Sequence, residues 1–315
     1  MMEKRIFAAV LAIFCLLPLN AQKPSHTCLY AHRDTCDLYL DVYDPSPGSE
    51  TVFAGKEKPT IMFLFGGGFI MGERSSRWYL PWFKLLNDNG YRLVTIDYRL
   101  GLKGVKMGFS PFTIVKSAKA TKHAVDIGVE DVYSAVAYLS AHAGELGIDP
   151  SNIVICGSSA GAMLSLSAEY ELCNRTSRAA VLPEGFNFTG VMAFAGAIMS
   201  DSGKPSYDRE PCPQMLIHGT ADKTVNYKKL NMFNWGIFGP DVLAKIYKKN
   251  GYTACIYRFK DHNHDMAGNM VATWPEQKRF LEQNVIKGVK RSVDAMIDDP
   301  AVPSQKSAAT LKSLY

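Results

Sequence analysis

A serine stands at the centre of a Gly-x-Ser-x-Gly pattern at residues 157–161. The pattern follows the apolar run Asn152–Cys156 and precedes a helical stretch, so it predicts a sharp strand-to-helix turn. Such a turn strains the backbone of the serine and needs glycine on either side, because larger side chains would collide. Ser159 is therefore a candidate nucleophile. With 25 glycines in the chain, an ordinary glycine-rich turn remains the alternative on this pattern alone.

Three consecutive glycines, Gly66, Gly67 and Gly68, follow the apolar run Thr60–Phe65. Consecutive glycines let backbone amides face a cavity with no side chain in the way. The helix that begins after Ser159 also directs amide groups towards an anion. Amides aimed at one point are what an oxyanion hole requires, and the sequence predicts one here.

A candidate acid and a candidate base follow later strands. Asp222 comes just after the predicted strand Gln214–His218, and the segment after Thr253–Phe259 carries His262 and His264. Serine, then aspartate, then histidine, each just past the carboxyl end of a strand, is the order of a nucleophilic triad on one type of parallel sheet. In such sheets the active crevice lies at those strand ends.

Other side chains compete for these roles. Asp201 and Asp208 follow another predicted strand and are rivals to Asp222, and His262 is a rival to His264. Asp97 ends a strand and is expected to be structural, paired with Arg99 or a nearby backbone group. His218 lies at a strand end and is expected to be a buried, hydrogen-bonded residue.

The elements needed to position these residues alternate along the chain. Six short β-branched or aromatic runs predict strands: Thr60–Phe65, Tyr91–Asp97, Asn152–Cys156, Phe188–Phe194, Gln214–His218 and Thr253–Phe259. Four stretches with helical periodicity lie between or after them: Val129–Leu146, Ser159–Leu172, Asp241–Lys249 and Glu276–Lys287. This alternation predicts an α/β fold with a mostly parallel central sheet and helices on both faces. Leu29–Tyr30 and Leu38–Tyr43 predict an antiparallel hairpin at one edge, and Asp44–Lys58 predicts a loop.

The first 21 residues have the pattern of a signal peptide. A charged start precedes the apolar run Ile6–Leu17, and Pro18 and Ala21 follow, so cleavage is expected after Ala21 and the protein is expected to be periplasmic or secreted. The twelve apolar residues fall short of the roughly 20 that span a bilayer. Residues 22–290 are expected to form one domain and residues 291–315 a polar, loosely held tail.

Export would permit disulfides among the six cysteines after Ala21. Cys28 and Cys36 flank a polar turn and could bridge the hairpin, and Cys173 and Cys212 are the next candidate pair, although spacing does not fix the connectivity. No Cys-x-x-Cys or His-x-x-x-His spacing occurs, so no metal site or cofactor is expected. The 47% hydrophobic content excludes a disordered chain, and a net charge of +5 without a basic block argues against a nucleic-acid partner.

Together these features resemble the α/β-hydrolases of the esterase type, akin to the hormone-sensitive-lipase-like carboxylesterases and the feruloyl and acetyl-xylan esterases. The resemblance covers about Leu38 to Lys287. Its carriers are residues 66–69, 97–100, 130–131, 147–150 and 157–161 and the two carboxyl-terminal blocks that contain Asp222 and His264.

The resemblance implies Ser159 as nucleophile, Asp222 as the orienting acid and His264, rather than His262, as the base. It also implies an oxyanion hole formed by the amides of Gly67 and Ala160 with Gly66 or Gly68. One position departs from the family: Phe65 stands where a histidine usually braces the glycine loop. The expected function is that of a serine carboxylic ester hydrolase acting on a small-molecule or carbohydrate ester, such as an acetyl or feruloyl group on plant carbohydrate.

Two other functions remain open at this point. Prolyl-peptidase domains share the triad order, although we expect no propeller-sized domain ahead of this fold. A non-catalytic binding protein on the same fold is the second alternative. The lysine-rich segment between Leu100 and Asp126 could overhang the crevice or form a solvated face, and the aromatic cluster Phe233, Trp235 and Phe238 could wall a substrate pocket or pack in the core.

Overall fold

The computed structural model describes residues 22–108, 110, 113–232 and 234–304. The predicted signal peptide Met1–Ala21 and residues 305–315 lie outside the described residues. So do Phe109 and Phe112 of the lysine-rich segment, and Phe233 of the aromatic cluster.

The described strands include every one that the sequence predicts. In chain order they are β1 His26–Arg33, β2 Cys36–Tyr43, β3 Val52–Phe53, β4 Lys56–Glu57, β5 Thr60–Leu64, β6 Leu93–Ile96, β7 Ile153–Ser158, β8 Gly190–Phe194, β9 Ile198–Ser200, β10 Gln214–Gly219, β11 Lys229–Met232, β12 Trp235–Phe238, β13 Ala254–Phe259 and β14 Val293–Ile297.

Nine of these strands form one sheet in the order β1-β2-β6-β5-β7-β8-β10-β13-β14. From β6 to β14 all neighbours are parallel, and the hairpin β1–β2 joins β6 antiparallel. The strands β5, β7, β8 and β10 are buried along their whole length, as expected for the middle of a sheet covered on both faces. The predicted α/β fold with a mostly parallel sheet and an antiparallel edge hairpin is confirmed.

The helices cover this sheet. They are α1 Leu80–Asp88, α2 Ile114–Ala141, α3 Ala143–Leu146, α4 Ala160–Cys173, α5 Pro240–Asn250 and α6 Trp274–Arg279, which continues as a π-helix over Phe280–Ile286. Helix α4 lies between the sheet and α2, which is why its residues are buried nearly all round and it has no polar face. The order in which strands join the sheet reverses at β5. The connection through α1 places β6 on one side of β5, and the connection through α2 then places β7 on the other side. This switch point is where an open parallel sheet forms a crevice at its carboxyl edge.

The structure corrects three predictions about elements. Helix α2 begins at Ile114, fifteen residues before the predicted start at Val129. The predicted loop Asp44–Lys58 contains the short hairpin β3–β4. The predicted loose tail is wrong for Val293–Ile297, which pairs in parallel with β13 and forms the last strand of the sheet.

The hairpin register excludes the first predicted disulfide. Cys28 lies opposite Leu40, whereas Cys36 lies opposite Arg33. Since Cys36 and Leu40 are four residues apart on one strand, the two cysteines are roughly 13 Å apart at ~3.3 Å per residue, well beyond the reach of a disulfide. The prediction that Cys28 and Cys36 bridge the hairpin is therefore wrong.

The second predicted pair meets at a buried carboxylate. The Cys173 thiol donates to Oε1 of Glu169 at 3.2 Å, and the backbone amide of Cys212 donates to the same oxygen at 2.8 Å. Both thiols are free in the structure. Burial raises the pKa of both thiols, and the nearby Glu169 carboxylate raises each pKa further.

The lysine-rich segment forms a turn followed by the first half of α2. Lys103, Lys106, Lys116 and Lys119 are exposed, while Lys122 pairs with Asp126. In the aromatic cluster, Phe238 is buried and Trp235 is half-buried; both lie on β12 of a small antiparallel sheet ordered β11-β12-β9. Among the residues that the structure describes, no helix is both long and apolar enough to cross a membrane.

Candidate active site

The turn at Ser159 joins β7 to α4 with a strained backbone. Ser159 has φ +50° and ψ −113°, a conformation that residues with a side chain rarely adopt. Its amide donates to the carbonyl of Phe194 on the neighbouring strand β8 at 2.8 Å, and its carbonyl accepts the amide of Met163 in α4 at 2.9 Å. Because both backbone groups are held, the side chain of Ser159 projects from the carboxyl edge of the sheet.

The two glycines of the turn are required by close backbone contacts. A Cβ atom on Gly161 would lie 2.1 Å from the carbonyl oxygen of Leu64, at the end of β5. A Cβ atom on Gly157 would lie 2.2 Å from the carbonyl carbon of Gly161. The helix can therefore start directly beside β5 only if both positions lack side chains.

The structure brings Ser159, His264 and Asp222 together in one chain of contacts. The Ser159 hydroxyl and His264 Nε2 are 2.7 Å apart, and His264 Nδ1 is 2.7 Å from Asp222 Oδ2. Since a carboxylate only accepts, His264 carries its proton on Nδ1 and offers the Nε2 lone pair to the serine hydroxyl. Ser159 and His264 remain partly accessible, whereas the Asp222 side chain is fully buried.

Asp222 is held as a charged group. Burial by itself raises the pKa of a carboxylate, but contacts from His218 and His264 outweigh it and hold the pKa of Asp222 well below its usual range. The other carboxylate oxygen, Oδ1, accepts the amides of Thr224 at 2.8 Å and Val225 at 3.1 Å. These two bonds form a tight turn that fixes the plane of the carboxylate relative to His264.

The glycine loop lies against the serine. A Cβ atom on Gly66 would lie 3.2 Å from the Cβ atom of Ser159, so the end of β5 and the serine turn are in contact. Gly67 has φ +133° and Gly68 has φ +64°, both conformations that favour glycine. The amide of Gly66 donates to the Tyr79 hydroxyl at 3.0 Å and is therefore engaged within the protein.

The amides of Gly67 and Ala160 have no acceptor within the described part of the chain. Ala160 is the first residue of α4, where backbone amides have no intrahelical partner. Of the four residues predicted for an oxyanion hole, these two therefore retain free N–H groups, while Gly68 lies between Gly67 and Phe69 in the same loop.

The position of the missing histidine is filled by aromatic packing. Phe65 is buried and stacks on Tyr98, with ring centroids 4.4 Å apart, and the Tyr98 hydroxyl donates to the carbonyl of Phe65 at 2.7 Å. Tyr79 holds the next residue, Gly66, as described above. Two tyrosines thus brace the loop in place of the usual histidine.

The competing candidates for the acid and the base do not join this chain of contacts. His262 pairs with Asp265 at 2.7 Å and does not reach the serine. Asp201 and Asp208 are exposed, and neither contacts a histidine among the described residues. Asp97 is structural, as expected: it accepts the amide of Tyr39, although its ionic partner is Arg74 at 2.6 Å and not Arg99.

Two contacts of the site could not be predicted from the sequence. Tyr79 reaches Gly66 from thirteen residues away, in a segment without a motif. His218 is buried, as expected, but its Nε2 lies 3.1 Å from Asp222 Oδ2, the same oxygen that His264 contacts. The only sequence signal for this contact was the spacing of four residues between His218 and Asp222. This spacing does not predict a contact, because His218 lies in a strand and Asp222 in the turn that follows it.

Substituting Gly161 tests the packing of the serine turn. Alanine normally stabilises a helix by about 1 kcal/mol relative to glycine. In Gly161→Ala we expect the opposite, a loss of about 2–4 kcal/mol in the free energy of unfolding, because the new methyl group would overlap the Leu64 carbonyl. Urea denaturation followed by circular dichroism measures the change.

Gly144→Ala is the matched control, since Gly144 lies in helix α3 and nothing stands within 4 Å of its Cβ position. We expect its stability to stay within about 0.5 kcal/mol of the parent or to rise slightly. Equal stability of the two variants would contradict the packing described for the turn.

Comparison with known proteins agrees with this architecture. The family model described as the carboxylesterase family matches residues 17–183. Para-nitrobenzyl esterase of Bacillus subtilis (strain 168) is 28% identical over 161 residues, which is 51% of this chain and 30% of that protein. Esterase E4 of Myzus persicae is 30% identical over 152 residues, which is 45% of this chain and 25% of that protein. The chain thus spans less than a third of the length of these curated relatives.

Among solved structures, esterase Est2 of the planctomycete Thermogutta terrifontis, with propionate bound, superposes with a TM-score of 0.58 at 22% identity. The match covers 84% of this chain and 96% of that one, and it shows the fold. The family model covers more than half of the sequence and includes the glycine loop and the serine turn. The chain therefore belongs to the carboxylesterase family and has its α/β-hydrolase fold.

Proposed function

We propose that the protein is an exported serine carboxylesterase that cleaves esters through an acyl-enzyme. The observation that carries this proposal is the continuous chain of contacts from the Ser159 hydroxyl through the His264 imidazole to the Asp222 carboxylate, each 2.7 Å long. A free serine hydroxyl is a poor nucleophile near neutral pH, and a neighbouring base that takes its proton activates it. Membership of the carboxylesterase family supports the same chemistry.

The proposed reaction has two stages. His264 Nε2 takes the hydroxyl proton as Ser159 Oγ attacks the ester carbonyl, and the amides of Gly67 and Ala160 donate to the oxyanion that forms. The same proton passes from His264 to the leaving alcohol, which gives an acyl-serine. A water molecule, deprotonated by His264, then attacks the acyl carbonyl, and His264 returns that proton to Ser159 Oγ as the acid leaves. Asp222 orients the imidazole and stabilises its charged form throughout.

We further propose that the acyl groups are carried by carbohydrate. Its support is the row of exposed lysines, Lys103, Lys106, Lys116 and Lys119, in the segment that follows the carboxyl end of β6. Cations on this segment suit a polysaccharide that carries acidic sugars. The acyl group itself would be acetyl or feruloyl.

Replacing the serine tests the enzyme proposal. In Ser159→Ala we expect hydrolysis of p-nitrophenyl acetate to fall by about 10⁴-fold or more, because the nucleophile is lost. The same variant should no longer react with a fluorophosphonate probe, while its circular dichroism spectrum and Tm remain those of the parent.

Ser165→Ala serves as the control, since Ser165 lies on the same helix and its hydroxyl donates to the carbonyl of Gly161. It should keep most of the parent activity and all of the labelling. Undiminished turnover in Ser159→Ala would refute the assignment, and a parent protein that is never labelled would indicate a binding protein on this fold.

The pH dependence tests the charge states. Asp222 should stay ionised from about pH 4 upwards because its pKa lies well below the usual carboxylate range. His264 acts only while Nε2 is unprotonated, so activity is lost as the pH falls and one proton is taken up. A plot of log kcat/KM against pH should therefore have an acid limb of slope one. A slope of two between about pH 4 and pH 6 would mean that Asp222 also titrates there.

A panel of substrates tests the carbohydrate proposal. We expect acetylated or feruloylated xylan oligosaccharides to give a kcat/KM about tenfold or more above that of p-nitrophenyl butyrate and of methyl ferulate, since sugar contacts would add binding energy in the transition state. Gly-Pro-p-nitroanilide should not be cleaved. Activity confined to p-nitrophenyl esters would refute the carbohydrate proposal, and cleavage of the anilide would indicate a peptidase.

A further inference from the structure

His218 is a buried titratable residue that takes no part in the proposed reaction. It lies on β10, one residue before the end of the strand, and only 1% of its surface is exposed. Its Nε2 atom is 2.9 Å from the carbonyl oxygen of Val225 and 3.1 Å from Oδ2 of Asp222. Both of these oxygens are acceptors, so Nε2 carries the proton. One N–H group is thus shared between a backbone carbonyl and the carboxylate of the candidate triad.

The carboxylate oxygen near His218 is the one that binds His264. Oδ2 of Asp222 lies 2.7 Å from His264 Nδ1 and 3.1 Å from His218 Nε2, whereas Oδ1 accepts the amides of Thr224 and Val225. Two imidazoles therefore compete for the negative charge on one oxygen. The shorter contact belongs to His264.

We propose that His218 is a positioning residue that acts on His264 through Asp222. Its N–H group fixes the orientation of the carboxylate and draws charge away from the oxygen that faces His264. This inference rests on the proposed function, because it assigns a role within the same triad.

The placement of His218 supports more than a structural role. A buried strand-end histidine could be satisfied by the Val225 carbonyl alone, yet here Nε2 also lies against Oδ2. The carbonyl of Val225 and the carboxylate of Asp222 belong to the same turn, so one imidazole holds both ends of the segment that carries the acid. A displacement of this turn away from His218 would break both contacts.

Other charged and titratable groups near this turn have partners of their own, and Lys223, which follows Asp222 in the chain, is exposed. The Tyr227 ring lies 6.1 Å from the His218 ring, and the Tyr227 hydroxyl accepts from Arg258, which in turn pairs with Asp241 and Asp294. On the side of His264, His262 pairs with Asp265 at 2.7 Å, and the same carboxylate accepts the backbone amide of Asn263. The carboxylate of Asp222 thus receives its charge-balancing contacts from His218 and His264.

Removing the N–H group of His218 should shift the pH profile of the reaction in a direction that follows from the charges. Without it, Oδ2 carries more negative charge and stabilises the His264 imidazolium more strongly. His264 then keeps its proton to higher pH, so the acid limb of the kcat/KM profile moves to higher pH. We expect a shift of about 0.5–1 pH unit and a fall of about tenfold in kcat, with KM nearly unchanged because no contact to the ester is lost.

Three variants of His218 test this inference. His218→Gln retains an N–H donor near the position of Nε2 and should keep an acid limb close to that of the parent. His218→Asn places its amide too far back to reach Oδ2, and His218→Phe keeps a ring without a donor; both should show the upward shift. If His218→Phe fails to fold, His218→Asn still gives the answer.

Asn87→Leu is the control for loss of buried hydrogen bonds. Asn87 is fully buried far from the site and donates to the carbonyls of Tyr43 and Tyr91, so its loss should lower Tm without moving the acid limb. The role of His218 would be overturned if the acid limb stayed in place or moved to lower pH in both His218→Asn and His218→Phe. This result counts only while Ser159 is still labelled by a fluorophosphonate. Absence of labelling in the parent protein would instead refute the proposed function itself.

Discussion

The turn at Ser159 is the constraint on which the rest of the site depends. A serine at φ +50° is stable only where its surroundings hold it, and here the backbone is held on both sides, by Phe194 of β8 and by the first turn of α4. Gly161 lets that helix start so close to β5 that a Cβ atom at this position would lie 2.1 Å from the Leu64 carbonyl oxygen. This approach puts the end of β5, with its glycine loop, beside the serine. The nucleophile and the amides that would receive the oxyanion are therefore set by one packing contact.

The acid and base are positioned by a separate arrangement that depends on charge rather than on close packing. Asp222 accepts two amides of its own turn, and its remaining oxygen faces two imidazoles. Burial of a carboxylate is costly unless donors surround it, and these four donors keep Asp222 ionised, with no lysine or arginine from the described part of the chain in contact. In the proposed role, the N–H group of His218 gives the acid a fixed direction and draws charge away from the oxygen that faces His264.

The sequence predicted the central strands and the order of the site residues because both depend on local patterns. Runs such as Gln214–His218 are short and have an uninterrupted apolar centre, and the serine turn needs glycine at fixed positions. The strand Val293–Ile297 escaped prediction because it lies at the sheet edge and alternates half-buried with exposed residues, so its short polar pattern resembles a tail. The hairpin disulfide failed for a different reason: a turn between two cysteines does not fix the register, and here Cys28 faces Leu40. The contact between His218 and Asp222 depends on how the turn after β10 folds back, which no periodicity encodes.

The replacement of the usual histidine by Phe65 shows how the loop keeps its shape by other means. Stacking of Phe65 on Tyr98 and the bond from the Tyr98 hydroxyl to the Phe65 carbonyl fix the residue before the glycines. The Tyr79 hydroxyl then takes the amide of Gly66, which removes one of the possible oxyanion donors. What remains is Gly67 on the loop and Ala160 at the start of α4, two amides from different elements. Their spacing depends on the contact between Gly161 and β5, so a hole of this kind would be only as rigid as the serine turn that defines it.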